Sequence, residues 1–114
     1  MVNSGFYRIV FAGGRGSGLG LLAIQDGKIV GVDGGGGEYD GYYSEDSTTG
    51  AVTIHLEVTI PANMPMVTGE RARPETSILR IDTTLRANFA NGMPITIDTS
   101  SGSINVSFAL LRRL

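Results

Sequence analysis

Most of the gaps between apolar runs in this chain are two to five residues long, and this spacing constrains the fold more than any other feature. A parallel crossover needs roughly a dozen residues, so short connections leave sequential antiparallel pairing. Asp26-Gly27 and Asn91-Gly92 each stand between apolar runs. A two-residue type I′ turn requires positive φ at both central positions, and these dipeptides supply it. Ser101-Gly102 marks a third tight turn.

The turn signals predict eight strands: Gly5 to Ala12, Gly18 to Gln25, Lys28 to Asp33, Tyr39 to Glu45, Ala51 to Ile60, about Ile78 to Phe89, Pro94 to Thr99, and Ser103 to about Leu111. The fifth alternates most cleanly. Val52, Ile54, Leu56, Val58 and Ile60 share one face, and Thr53, His55, Glu57 and Thr59 the other, the pattern of one buried and one wet face. No long window has the apolar spacing of an amphipathic helix. The longest connection, Pro61 to Ser77, carries prolines at 61, 65 and 74. Proline lacks the N–H that a ladder needs, so no central strand is expected there. Met64, Met66 and Val67 are placed to lid one end of a barrel.

A sequential meander removes both exposed edges by closing on itself. The expected fold is therefore all-β, a single eight-stranded antiparallel up-and-down barrel of lipocalin-like size, with a two-sheet sandwich as the alternative. Such an interior holds packed side chains or one small ligand, and Phe6, Leu56 and Phe108 are expected to fill it. The first two strands are apolar on both faces: Phe6 and Val10 oppose Tyr7, Ile9 and Phe11, while Leu19 and Leu21 oppose Leu22 and Ile24. An apolar outer wall needs cover. The 61–77 segment is one candidate; a symmetric homodimer is the preferred one.

Composition narrows the function classes. One domain spanning 1–114 fits the length. The net charge is −2, with no clustered basic face to make a direct nucleic-acid footprint. Arg71-Ala72-Arg73 and Arg112-Arg113 are too short for one. The lack of cysteine excludes disulfides and thiolate chemistry. Phe6 to Ala12 is too short, and with Arg8 too charged, for a signal peptide or membrane span. A cytoplasmic protein follows.

The chemical motifs fail one by one. Gly13-Gly14-Arg15-Gly16-Ser17-Gly18-Leu19-Gly20 resembles a nucleotide loop, but a strand follows it, so no helix N-terminus is available for a phosphate. His55 and Glu57 share a strand face, yet a metal site needs three or four ligands. No Ser–His–Asp set stands out. The acids Asp33, Glu38, Asp40, Glu45 and Asp46 lack calcium-loop spacing and read as a solvated acidic rim. No catalytic residue, cofactor or metal is expected.

Gly5-Phe6-Tyr7-Arg8-Ile9-Val10-Phe11, then Gly27-Lys28-Ile29-Val30-Gly31-Val32-Asp33, then Tyr39-Asp40-Gly41-Tyr42-Tyr43 and Ser44-Glu45-Asp46 follow in order. Over residues 5 to 60 this order resembles the GrlR-like family, named for a negative regulator of type III secretion genes. The resemblance implies a dimeric lipocalin-like barrel that binds an activator protein instead of catalysing a reaction. It also implies a partner-binding acidic loop, which matches Ser44, Glu45 and Asp46; here the acidic run is shortened by Ser47-Thr48-Thr49. A small apolar-ligand carrier is the competing expectation, although the Gly-x-Trp motif of lipocalins is absent, since the chain has no tryptophan.

Overall fold

The computed structural model describes residues 2–14, 16–65 and 71–114. Eight strands form one antiparallel sheet: β1 Gly5–Gly13, β2 Gly16–Gln25, β3 Lys28–Asp33, β4 Glu38–Glu45, β5 Val52–Ile60, β6 Ser77–Leu85, β7 Ile95–Thr99 and β8 Gly102–Arg113. No helix among the described residues is long and apolar enough to cross a membrane. The sheet order is β6-β5-β4-β3-β2-β1-β8-β7. The first six strands pair in chain order, and β8 closes the wall by pairing with β1, from Gly5 opposite Arg113 to Ala12 opposite Asn105. The expected eight-stranded barrel is present.

Closure is nearly complete. β6 and β7 share no ladder, so the wall has one seam. A polar stitch crosses it: the Ser100 N–H donates to the Arg80 carbonyl (3.0 Å), and the Arg80 N–H donates to Ser100 Oγ (3.0 Å).

The hairpin at Asp26-Gly27 forms as expected, with φ of 51° and 78°. The second turn departs from expectation. β6 stops at Leu85 instead of continuing to Phe89, and Asn91-Gly92 lies inside a longer connection to β7. The ladder ends with its partner, since Leu85 pairs with Val52, the first residue of β5, and beyond it the chain turns inward at Phe89. Its side chain is buried at the barrel end, stacked on Tyr7 with ring centroids 6.0 Å apart and edge-on to Phe108 at 5.3 Å. Burying a phenylalanine stabilises by roughly 1.5–3 kcal/mol, and here the ring plugs the barrel end. Gly92 then returns the chain to β8, its N–H donating to the Phe108 carbonyl (3.0 Å).

The interior is built from alternate residues. Tyr7, Ile9, Leu22, Ile24, Leu56 and Phe108 are among the buried core. Phe6 corrects an expectation: it is only partly buried and shares the outer face with Arg8 and Val10. β1 is apolar on both faces, so alternation alone assigned no inside; a register shift between Phe6 and Tyr7 against β8 accompanies the observed choice.

The outside is two-faced. On β4 to β6 it is polar, with the His55–Asp82 pair at 2.6 Å and Thr53 facing Thr84 at 3.2 Å. On β1 to β3 it is apolar. Val10 sits opposite Leu19, and Leu21 opposite Val32. Leu19 is 57% exposed, and Val30 and Val32 are each 55% exposed. The described part of the 61–77 segment does not cover this wall. It folds over a barrel end instead, with the Asn63 N–H donating to the Arg73 carbonyl (2.6 Å) and Met64 reaching the interior. Met66 and Val67, the other expected lid residues, lie outside the described residues.

Candidate functional site

The interior is not completely filled. An apolar cavity of about 250 Å³ runs into the barrel, walled by residues such as Ile9, Leu22, Ile29, Ile54, Leu56 and Ile81. Its two ends differ. At one, Phe89, Tyr7 and Phe108 form the aromatic plug. At the other, the lining includes Phe11 and Gly18 from the β1–β2 end, Asp33, Gly35 and Gly37 from the β3–β4 turn, and Pro61, Met64 and Pro65 after β5. These loops all sit where β1, β3 and β5 finish, so they ring a single mouth.

Glycine makes room at this mouth. Gly18 pairs directly with Phe11, and a Cβ at position 18 would overlap the Phe11 ring. The glycine-rich segment that resembles a nucleotide loop is thus part of a barrel rim, where missing side chains leave space for an aromatic neighbour.

A hydrogen-bonded polar constellation faces the cavity, whose lining also includes Ser17 and Thr83. Asp33 ends β3, and its Oδ1 accepts the N–H groups of Gly35 and Gly37, both at 2.9 Å. Its Oδ2 accepts the Tyr39 hydroxyl at 2.7 Å. The Asp33 N–H donates to the Gly37 carbonyl (3.0 Å), which closes the turn. Burial, followed by the bond to Asp33, pushes the Tyr39 hydroxyl well above the usual tyrosine range, so it remains a donor. The sequence groups Asp33 with a solvated rim; in the structure it is partly buried and organises the turn. The sequence signal was an acid immediately before a glycine run, since aspartate side chains accept N–H groups one turn onward. Only Tyr39, the third partner of the carboxylate, lacks a local signal.

Ser44, Glu45 and Asp46 lie at the opposite, plugged end. Ser44 is exposed. Glu45 Oε1 accepts the Val2 N–H at 2.9 Å. Asp46 Oδ1 accepts the N–H groups of Thr48 (2.8 Å) and Thr49 (2.9 Å). Those N–H groups, Thr49 first and then Thr48, hold the Asp46 carboxyl below the usual carboxylate range. Asp46 therefore shapes the β4–β5 turn, with the Gly50 N–H returning to its carbonyl at 2.8 Å.

His55 and Glu57 do not converge with a third ligand. His55 pairs with Asp82 and packs on Tyr42 at 5.0 Å between ring centroids, while Glu57 stands 4.0 Å from Arg80. Among the described residues no group of three or more His, Cys, Asp or Glu side chains is arranged to hold a metal ion.

No family model, no curated protein and no solved structure matches this chain.

Proposed function

We propose that the protein is a binding module and not an enzyme, and that its barrel holds a small apolar molecule of roughly ten to fifteen non-hydrogen atoms, at the small end of known ligand pockets. The observation that carries this reading is the cavity of about 250 Å³, plugged by aromatics at one end and ringed by glycine-rich loops at the other. Isothermal titration with a neutral nine-carbon alcohol tests it. Binding by the wild type, lost in Leu56→Phe with the circular dichroism spectrum unchanged, is the expected result. A wild type that binds neither this alcohol nor any molecule carried through native purification removes the reading.

A second reading is favoured by a different observation, the exposed Val10, Leu19, Leu21, Val30 and Val32 on the outer wall. Here the protein is a homodimeric regulatory module that sequesters an activator protein, as the likeness to the GrlR-like family suggests, and Ser44, Glu45 and Asp46 are its proposed partner contacts. The lack of cysteine supports a reducing, cytoplasmic setting for either reading. Glu45→Gln with Asp46→Asn removes both charges while keeping the oxygens that accept the Val2, Thr48 and Thr49 N–H groups. Unchanged binding partners in that variant take the acidic turn out of this reading, and a monomer at micromolar concentration in sedimentation takes out the dimer.

A further inference from the structure

The cavity has a chemical polarity as well as a shape. Its wall is hydrocarbon, and its mouth carries a carboxylate, Asp33, bonded to a tyrosine, Tyr39. Among the described residues no lysine, arginine or histidine lines it. A carboxylate has about four acceptor positions. Three are taken, by Gly35, Gly37 and Tyr39, which leaves one. Tyr39 spends its proton on Asp33 and so also presents only lone pairs. At this pair the polar end accepts hydrogen bonds and carries negative charge, while the Ser17 hydroxyl, also in the lining, can donate or accept. A ligand placing its own carboxylate or phosphate there would set like charges together in a partly buried site, where water screens them poorly. A ligand with a hydroxyl or ammonium group would find an unfilled charge-assisted acceptor.

We propose that the cavity selects an apolar chain ending in a hydrogen-bond donor, an alcohol or amine, and rejects the fatty acid of the same length, with Asp33 as the discriminating residue. This rests on the ligand-binding reading above. The Asp33–Tyr39 pair is consequently a specificity device as well as a turn lock.

The test is isothermal titration at pH 7 with 1-nonanol, nonylamine and nonanoate, which share one tail. The alcohol and the amine are expected to bind at least tenfold more tightly than the acid. Asp33→Asn keeps an oxygen for the Gly35 and Gly37 N–H groups and removes the charge, so the acid should come within about threefold of the alcohol. Tyr39→Phe keeps the charge and should keep the discrimination; with the wild-type series it carries the test if Asp33→Asn does not fold. Nonanoate binding as tightly as nonanol to the wild type overturns the proposal while leaving the ligand-binding reading intact. So does an acid-to-alcohol ratio unchanged in Asp33→Asn. Failure of all three compounds to bind overturns both.

Discussion

The Tyr39 hydroxyl donates to Asp33 Oδ2 across 2.7 Å, joining the last residue of β3 to the second residue of β4 over the turn that separates them. The bond adds to the Gly35 and Gly37 N–H bonds on Asp33 Oδ1 in ordering a loop of four glycines, whose backbone gives up more freedom on ordering than that of any other residue. Tyr39→Phe keeps the ring in the core and removes the bond. Loss of a hydrogen bond to a charged group is expected to destabilise by about 1.5–3 kcal/mol, read as a lower urea midpoint with an unchanged m-value.

Alkaline pH probes the same residue. An ordinary tyrosine titrates near 10.0, and the native Tyr39 hydroxyl is raised above this. Below that pH both folded and unfolded chains hold the proton. Above it the unfolded chain releases the proton and the native one retains it, so stability falls as pH rises, by about 1.4 kcal/mol per pH unit for each such group. Tyr7, raised mainly by burial and then by Tyr43, adds to the same slope. Urea midpoints measured from pH 8 to 11 should fall more steeply in the wild type than in Tyr39→Phe.

Phe89 is the plug, and Phe89→Ala removes it. The ring packs against Tyr7 and Phe108. The expected loss is about 3–5 kcal/mol, a large part of the stability of a typical domain. Denaturant unfolding checks it; a loss below about 1 kcal/mol would mean that the 86–94 connection is held by its backbone bonds alone.

Gly18→Val sets a side chain against Phe11. Overpacking of this kind is expected to destabilise by about 1–3 kcal/mol, and the displaced ring must move toward the mouth. Ligand association should slow while the far end of the barrel is undisturbed, which stopped-flow binding and the protection of Tyr7 and Phe89 neighbours from hydrogen exchange can separate.

Leu21→Lys with Val32→Lys places two charges on the outer wall, at residues paired across β2 and β3. Both are exposed in the single chain, so its stability should change by about 0.5 kcal/mol per site plus roughly 0.2–1 kcal/mol for the like charges set opposite each other. Sedimentation should show a monomer. If the wild type sediments as a dimer and the variant does too, the contact lies elsewhere.

The barrel was legible in the sequence because its turns are short and chemically explicit. Lys28–Asp33 was delimited to the residue, between an Asp-Gly turn and a glycine run. β5 was oriented by its alternation. The misreadings share a cause, which is that the deciding partner is distant in sequence. Asn91-Gly92 carries a hairpin signal, but β6 runs out of partner at Leu85, opposite the first residue of β5, and Phe89 packs on Tyr7, far back along the chain. Phe6 and Tyr7 are equally suited to an interior; their assignment depends on pairing with β8. Asp33 looked like one acid among several because its third partner, Tyr39, becomes a neighbour only once two strands are paired. The cavity was least legible, since an unfilled volume depends on how side chains from all the strands meet.

The seam and the β1–β8 ladder have a joint topological consequence. Around the wall, every adjacent pair of strands except one is joined by a ladder, and every pair except one is joined by chain. The two exceptions fall in different places. Between β8 and β1 only hydrogen bonds bridge; between β6 and β7 the chain bridges and a stitch at Arg80 and Ser100 assists. The ring is therefore sealed by whichever bond type is missing at the other gap. The β1–β8 ladder joins the two strands most remote along the chain, a contact of high order that is expected to set a slow refolding rate. Weakening that ladder at β8 should slow refolding, whereas weakening the stitch should hasten unfolding.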